Sequence, residues 1–534
     1  LAITLFCVGI QPVLDELTRI FPDVHQAWFC DDGTFLTDAP TAARILQFLS
    51  DEFANFGLDI NFLKTELIAL NAATSSMEEL INDDEELGIL EEVTFCQGPN
   101  FSTLGAPIGT AIYCADFVAA KMTNISHLLD QIAMLDHVQA ALLLLRFTAS
   151  FGKIAYYART IPTEAIRNQC IEFDAMMITT LGEIIGQYLD DEAIVRASLP
   201  LKKGGLGLRL ADRHAPAAYI SSFSQVYLQI RDLNDSHLVE TVDRFNTLVS
   251  EGQRIKPNHL AEIAVQKDLS WKLDIMTFQR LLDELSPEHR AKFLGCTADF
   301  AHYWLTVMPD KFRNHEFTNA QMATLIKFWL DMDTLPQDSR CPMDACNELL
   351  DTKGVHALTC KAAGDRIRKH NTIVDFIYQQ AISAAKIPTK EQLHVLGDSN
   401  QMKPADIFLP NFKAGKSLCI DVGIVTPMAP SHVRAASQDA LAAADKYADA
   451  KTKKYTKACE DRGILYTPAV GEVTGGWSDK ACRIFTHLIK GISHRFRVKF
   501  GIQKRMFYED LSVRLQRANA NSILRRDYLS IDFM

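Results

Sequence analysis

The sequence predicts an α+β protein with more than one domain, and three observations support this fold class. First, 534 residues, 48% of them hydrophobic, are enough for two or three separate cores. Second, apolar residues recur at helical spacing over residues 123–159 and again over 216–330, which predicts helices through the middle of the chain. Third, short β-like runs alternate with helices after residue 362, which indicates an α/β domain there.

The C-terminal elements can be placed more closely. Helices are predicted over residues 365–385 and 433–462, and β-runs over 405–409, 418–425 and 464–467. At the other end, the apolar run 1–10 lacks a positive segment and is too short to span a bilayer. We therefore expect neither a signal peptide nor a membrane anchor, and a chain that starts inside a hydrophobic stretch is expected to be a fragment.

The charge is unevenly distributed. A net charge of −11 opposes binding to phosphate-rich partners. Much of it falls in one acidic stretch, predicted to be a solvated loop; its members are Glu78, Glu79, Asp83, Asp84, Glu85, Glu86, Glu91 and Glu92. Residues 490–526 are instead basic, which fits either a phosphate-binding face or a solvated helix. Twelve cysteines are sparse for this length, so a reducing compartment is expected.

Two adjacent carboxylates, Asp31 and Asp32, are followed by Gly33 between two apolar segments, as at the tip of a tight hairpin. Hard oxygen ligands at such a tip can hold Mg²⁺ and activate a primer hydroxyl. Asp-Asp-Gly is also an ordinary turn sequence, so this motif alone leaves both interpretations open.

One group of cysteines has regular spacing. Cys341, Cys346, His356 and Cys360 form a C-x4-C-x9-H-x3-C pattern. Three thiolates and one imidazole suit tetrahedral Zn²⁺, so the pattern predicts a small zinc knuckle. The alternative is a set of scattered buried cysteines, which is the interpretation we adopt for Cys7, Cys30 and Cys96.

Asp406 and Asp421 each lie in an otherwise apolar β-run, and a turn joins the two runs. Buried carboxylates are costly unless a cation neutralises them, so the pair predicts a Mg²⁺ site for phosphodiester hydrolysis. Lys451 and Lys454, on the following helix, could supply the lysine that such a site uses. The two lysines could equally belong to a solvated helix face. Two further polar residues of this region also have a structural interpretation: His370 could be a cap or core histidine, and Glu472 could be a charge at a strand end.

The N-terminal motifs resemble those of the reverse transcriptases of non-LTR retrotransposons. Four segments match in order: Phe29-Cys30-Asp31-Asp32, Gly57-Leu58-Asp59-Ile60-Asn61-Phe62-Leu63-Lys64, Leu104-Gly105-Ala106-Pro107-Ile108-Gly109, and Gly204-Gly205-Leu206-Gly207. The resemblance implies that Asp31 binds metal, that Asp32 is its partner, and that Lys64 lies near nucleotide phosphates. The upstream aspartate and Gln-Gly motif of the family do not precede Asp31, so this chain alone is expected to lack polymerase activity.

The C-terminal motifs resemble the restriction-like endonuclease of site-specific non-LTR elements, a member of the PD-(D/E)xK superfamily. The matching segments are Arg368-Lys369-His370-Asn371, Pro404-Ala405-Asp406, Asp421-Val422, Lys454-Tyr455 and Glu472-Val473-Thr474-Gly475-Gly476. The resemblance implies catalytic roles for the two aspartates, Lys451 or Lys454, and Glu472. It further implies that Arg368 and His370 contact nucleic acid, and that a CCHC knuckle precedes the nuclease.

The combined resemblance predicts five regions: a truncated polymerase palm at 1–115, a helical thumb and connector at 116–335, the knuckle at 336–362, the endonuclease at 363–490 and a basic tail at 491–534. The predicted function is to nick chromosomal DNA with Mg²⁺ and prime reverse transcription of element RNA from the nick. Nuclear localisation follows from that substrate, and no membrane partner is expected; the oligomeric state stays open. The alternatives are a non-catalytic nucleic-acid-binding remnant and a host-adapted Mg²⁺ nuclease.

Overall fold

The computed structural model describes residues 2–69, 85–96, 98–230, 236–256, 260, 265–337, 339–343, 345–346, 348–362, 364–390, 395–396, 402–413 and 415–527. Glu78, Glu79, Asp83 and Asp84 of the predicted acidic loop lie outside these residues, as do residues 528–534 of the predicted tail. The chain forms two compact units: Leu1–Lys121 with Tyr156–Gln169, and Met122–Ala155 with Cys170–Met534. The fold is mixed α+β, which confirms the predicted class.

Short sheets and long helices make up the first part of the chain. The elements up to residue 160 are α1 (Ala2–Ile20), β1 (His25–Phe29), β2 (Asp32–Leu36), α2 (Ala39–Asn55), β3 (Glu66–Ile68), β4 (Thr94–Cys96), β5 (Phe101–Thr103), β6 (Ala106–Ile108), α3 (Ala111–Ala133), α4 (Val138–Thr148) and α5 (Ala155–Thr160). Strands β1–β2 and β5–β6 are antiparallel hairpins, and β3–β4 is a parallel pair. Leu17 of α1 packs with Ile45 and Leu49 of α2 in a buried cluster, because the apolar faces of both helices need cover.

Helices fill the middle of the chain, as the periodicity predicts. They are α6 (Arg167–Ile185), α7 (Asp191–Ser198), α8 (Ala211–Ile230), α9 (Ser236–Leu248), α10 (Gln266–Glu284), α11 (Pro287–Cys296) and α12 (Asn319–Trp329). Their ends carry the expected caps: Asp190 accepts from the N–H of Ala193, and Thr318 forms a capping box with Gln321. The apolar stretch Val138–Thr160 is long enough to span a bilayer, but 56% of its most apolar window is buried, as in a core helix.

The C-terminal part contains a three-stranded sheet covered by helices. Its elements are α13 (Val355–Thr359), α14 (Asp365–Ser383), β7 (Ile407–Lys413), β8 (Lys416–Val425), α15 (Val433–Ala436), α16 (Ala442–Glu460), β9 (Leu465–Glu472), α17 (Asp479–Phe496) and α18 (Phe500–Leu524). The sheet order is β7-β8-β9, with β7 antiparallel and β9 parallel to β8. Both faces of β8 are buried, which explains its nearly continuous apolar sequence. The core joins Ile377 of α14, Ile420 of β8, Phe485 of α17 and Leu511 of α18.

The basic C-terminal stretch is mostly structured. Helix α18 is 25 residues long, and its apolar side is part of the core. Its polar side chains also reach neighbouring segments: Asn519 donates to the carbonyl of Val473 (2.7 Å), and Arg517 donates to that of Asn314 (2.8 Å). Through residue 527, the segment predicted as a tail is therefore a structural helix of the second unit.

Candidate functional site

Asp406 and Asp421 face each other at one end of the β7–β8 hairpin. Asp406 directly precedes Ile407, which pairs with Ile420, and Asp421 directly follows Ile420, so the two aspartates lie at the same end of the hairpin and interact electrostatically. Asp406 is also held by the backbone: its N–H donates to the carbonyl of Ile420 (2.9 Å), and its Oδ2 accepts from the N–H of Val422 (2.8 Å). The hairpin thus brings the two predicted carboxylates together.

Three side chains from other elements complete this carboxylate pair. Lys451 of α16 donates to Asp421 Oδ1 (2.5 Å), and Tyr466 of β9 donates to Asp421 Oδ2 (2.8 Å). His370 of α14 has its Nε2 3.2 Å from Asp406 Oδ2. We call these five residues the aspartate site. Two helices, α14 and α16, and strand β9 therefore each contribute one side chain that contacts the two carboxylates.

The surroundings of the two carboxylates shift their pKa values in opposite directions. Burial is the largest single effect on Asp406 and acts to raise its pKa, but the hydrogen bond and charge of His370, the N–H of Val422 and the charge of Lys451 together lower the pKa. For Asp421 burial is the largest cause and raises the pKa, despite Lys451 and Tyr466. His370 has a raised pKa because of its bond to Asp406, and its Nδ1 lies 3.3 Å from Asn371 Oδ1. Both ring nitrogens thus face oxygen acceptors, an arrangement that suits the protonated imidazole.

Close packing of α16 on the sheet places Lys451 at the site. Ala444 and Ala448 on the inner face of α16 are buried, and such small residues let the helix approach the strands closely. Gly423 of β8 contributes to the same contact, because a Cβ there would lie 2.9 Å from the ring of Tyr447. Lys451 then points inward, whereas Lys454, also predicted, is exposed and its ammonium lies over the Tyr455 ring (4.7 Å).

Glu472 lies at the far end of the same sheet. Asp421 pairs with Pro468 and Val425 with Glu472, so four residues, about 13 Å, separate Glu472 from the level of Asp421. Glu472 is fully buried and accepts from the backbone N–H of Ala444 at the start of α16 (3.3 Å). A carboxylate there interacts favourably with the helix dipole. The structure therefore does not bring Glu472 to the aspartates, and its predicted catalytic role stays a prediction.

We expect Glu472→Gln to remove a pH dependence of stability. Burial raises the pKa of Glu472 to about 7, with a further increase from Asp445, whereas the pKa in the unfolded chain is near 4.5. Between these values the folded state keeps a proton that the unfolded state releases, so the carboxyl makes the protein less stable as pH rises, by roughly 1.4 kcal/mol per pKa unit. Urea unfolding at pH 5 and pH 8 should show a smaller loss in the variant. An equal loss in both proteins would contradict this role.

An open cleft of about 280 Å³ lies beside Asp406. It is lined by His370, Asn371, Val374, Asp375, Lys390 and Asp406. Lys390 forms an ion pair with Asp375 across the cleft. Arg368, which the sequence assigned to nucleic acid together with His370, pairs with Asp365 (2.8 Å) at the start of α14, and its contact with nucleic acid stays a prediction. His370 is thus part of the site, and Arg368 belongs to a neighbouring charge cluster.

The four predicted knuckle residues converge on one point. Their ligand atoms all lie within 4.8 Å of one another, with Cys341 Sγ 3.9 Å from Cys360 Sγ and Cys346 Sγ 3.4 Å from His356 Nε2. Tetrahedral Zn²⁺ with ordinary bond lengths would require about 3.8 Å and 3.6 Å for these pairs. The group can therefore hold a metal ion, as the spacing predicts.

A short hairpin and a helix turn position these ligands. Cys341 and Cys346 lie on a loop closed by the bridge between Arg340 and Leu349, while His356 and Cys360 belong to α13 and its end. Asp351 caps α13 by accepting from the N–H of Val355 (2.8 Å), and Gly354 adopts a positive φ of 77° just before it. Glu348 lies 3.2 Å from His356 Nδ1. A carboxylate there directs Nε2 toward the other ligands.

Arg526 connects the cysteine group to α14. Its fully buried guanidinium donates to Asp365 Oδ2 (2.8 Å), and Asp365 also pairs with Arg525. Burial acts to raise the pKa of Cys360, but hydrogen bonds from Arg526 and the backbone of Ala362 outweigh it and lower the pKa to about 6. The sequence interpretation missed Arg526 and Tyr466. A tyrosine in an otherwise apolar β-run was a signal for Tyr466, whereas Arg526 carried no local signal.

The predicted polymerase residues lie at exposed positions of the first unit. Phe29 pairs with Asp32, so Cys30 and Asp31 form a two-residue turn in which Cys30 has a φ of 58°. This confirms the hairpin tip, and both aspartates are exposed there. Lys64 is exposed at the end of a short 3₁₀ helix. The predicted later hairpin is also present, with Leu104 and Gly105 as its turn.

A second acidic group among the described residues, Glu192, His289 and Asp331, has the spacing of a metal site. Its surroundings argue against that use, because Asp331 is already paired with Lys292 (2.7 Å) and Arg196 (3.4 Å). These cations lower the pKa of Asp331 although burial acts to raise it. The cluster is an ion network centred on the buried Asp331, and it connects α7 and α11 to the segment that follows α12. Comparison of the sequence with protein-family models and with curated proteins finds no match.

Proposed function

We propose that the second unit is a Mg²⁺-dependent DNA endonuclease whose active centre is the aspartate site. The observation that carries the proposal is the proximity of the Asp406 and Asp421 carboxylates at one end of the hairpin, with Lys451 bonded to one of them. A buried and a partly buried carboxylate beside a lysine provide what hydrolysis of a phosphodiester requires: oxygen ligands for a divalent ion and a cation for the developing charge.

The residues present fit Mg²⁺. This ion commonly uses one or two carboxylates and completes its shell with water and substrate phosphate. Asp406 and Asp421 would hold it, and the contacts that they make with Lys451 and His370 show that the pair attracts positive charge. When bound, Mg²⁺ would supply an activated water and neutralise phosphate charge.

The chain's own residues have distinct tasks in this proposal. Lys451 places positive charge beside Asp421, where it can meet a phosphate oxygen. Tyr466 fixes the orientation of the Asp421 carboxylate by donating to its second oxygen. His370 orients Asp406 and, facing the open cleft, can contact the backbone of the nucleic acid.

The wider proposal follows the resemblance of the ordered motifs. The chain would come from a non-LTR retrotransposon protein, with polymerase palm motifs and a helical thumb before a Zn²⁺ knuckle in the Cys341 group. Its partners would be chromosomal DNA and element RNA in the nucleus. The exposed Asp31–Asp32 tip supports the polymerase assignment, and the tetrahedral spacing of the cysteine group supports Zn²⁺.

A matched pair of lysine variants tests the nuclease. The chain is expected to nick supercoiled plasmid in Mg²⁺, and Lys451→Met should slow nicking by about 10²- to 10³-fold, the usual cost of losing a charge-stabilising donor. Lys454→Met is the control, because Lys454 has the same chemistry and lies one helical turn away, but is exposed and bonded to Tyr455.

The measurement is the nicking rate by gel, with folding checked by circular dichroism. If the nicking rate falls equally in both variants, Lys451 is not the active lysine of the proposed nuclease. A folded parent chain that leaves plasmid intact in Mg²⁺ would contradict the nuclease and favour the non-catalytic nucleic-acid-binding remnant.

A further inference from the structure

The junction between α17 and α18 exposes aromatic rings beside basic side chains. We call residues 494–502 the α17–α18 corner. Phe496 is 57% exposed, Phe500 38% and Ile502 53%. Arg497, between the helices, has a φ of 53°, which ends α17 and turns the chain into α18. Such a concentration of exposed apolar surface at a sharp turn is a candidate binding surface.

The charged side chains in the sequence around the α17–α18 corner are all basic. No Asp or Glu occurs from Lys480 to Tyr508. The basic residues in this interval are Lys480, Arg483, Lys490, Arg495, Arg497, Lys499, Lys504 and Arg505. Some of these side chains already form ion pairs: Lys480 pairs with Asp449, and Arg505 pairs with Glu509. Among the described residues, Arg497 and Lys499 have no carboxylate partner.

Rings interleaved with unpaired cations are what a sequence-tolerant single-strand site needs. Bases stack on aromatic faces, and the backbone phosphates meet Lys and Arg. A membrane surface would instead require a free apolar helix face. The apolar face of α17, which includes Phe485, Leu488 and Ile492, is already buried in the core, so the chemistry favours nucleic acid.

We propose that the α17–α18 corner binds single-stranded nucleic acid, with bases stacked on Phe496 and Phe500 and phosphates held by Arg497 and Lys499. The choice of partner rests on the proposed nuclease function. The geometry connects the two surfaces: Arg495 donates to the carbonyl of Ile382 (2.9 Å) at the end of α14, the helix that carries His370. Ile382 and His370 are twelve residues apart on α14, so the point that Arg495 contacts lies roughly 18 Å along this helix from His370. A single strand of nucleic acid can span that distance.

The test is the affinity of a fluorescently labelled, mixed-sequence DNA oligonucleotide for the zinc-loaded chain in Mg²⁺-free buffer. Phe496→Ala should weaken binding about tenfold, within the usual range for one stacked base, while Phe496→Trp retains it. Replacing Arg497 and Lys499 together by Gln should reduce the salt slope of log K by about 1.4, as expected for two phosphate contacts. Phe312→Ala, at a fully exposed ring elsewhere, is the control.

Other results would overturn the proposal. If Ile502→Ala weakens binding as much as Phe496→Ala, general apolar docking replaces stacking. Stronger binding to anionic phosphatidylserine vesicles than to the oligonucleotide would assign the corner to a membrane. A Phe496-dependent dimer in light scattering would assign it to a second copy. Because binding is measured without Mg²⁺, tight Phe496-dependent binding with no plasmid nicking would reject the nuclease and keep the corner, and the reverse result would reject only the corner.

Discussion

Replacing Asp421 by Asn is expected to reduce plasmid nicking by at least about 10³-fold, because a bound metal contributes several kcal/mol to the stabilisation of the transition state. The substitution keeps the size of the side chain. Its amide oxygen can still accept from Lys451, and its amide N–H can donate to the Tyr466 hydroxyl, so the fold should persist. What it removes is the negative charge that holds a divalent ion. Asp406→Asn should have a similar effect, because Asp406 is the other proposed ligand.

Asp449→Asn is the matched control for these variants. Asp449 lies on α16, two residues before Lys451, but is exposed and pairs with Lys480 (2.8 Å). Its loss should change nicking less than twofold, since exposed pairs contribute little. Nicking measured over a Mg²⁺ titration decides the matter. If Asp421→Asn nicks at the rate of the parent chain, Asp421 is not a metal ligand and the nuclease centre must be sought elsewhere.

The local elements were predictable because their signals are local. The β7–β8 hairpin, the helices and both candidate metal groups follow from periodicity and spacing, and the structure brings the predicted partners together. Asp406 and Asp421 could be paired from the sequence alone, because the two β-runs are adjacent along the chain and a short turn forces them into one hairpin.

The remaining part of the aspartate site depends on packing that the sequence does not encode locally. Lys451 and Lys454 share a helix face within one turn, and only the docking of α16 through Ala444 and Ala448 decides which of them points inward. Tyr466 reaches Asp421 because β9 is parallel to β8 in one register. A shift of one residue in that register would turn Tyr466 to the other face.

Removing the metal from the Cys341 group is expected to destabilise the second unit as a whole. When the free metal concentration is a thousand times the dissociation constant of the site, binding adds about 4 kcal/mol to the free energy of unfolding. At about 2.1 cal/mol/K of unfolding entropy per residue, this corresponds to a decrease of about 5 °C in the thermal midpoint of a unit of this size. The chain should purify with one equivalent of Zn²⁺, and Cys346→Ser should lose both the metal and this stability. Metal content by mass spectrometry and thermal unfolding by calorimetry measure the two effects.

The effect should extend beyond the loop because the cysteine group is part of a shared core. Cys341 and Cys360 pack with Phe328 of α12 and Ile523 of α18, and Arg526 connects the group to α14. Cys482→Ser is the control: Cys482 is half-buried, donates to the carbonyl of Trp477 and lies outside the group, so its variant should keep the metal. If the zinc-free chain melts at the temperature of the parent chain, the four residues are a cluster of reduced thiols. The core around Phe328 and Ile523 would then be sufficient to hold this region together.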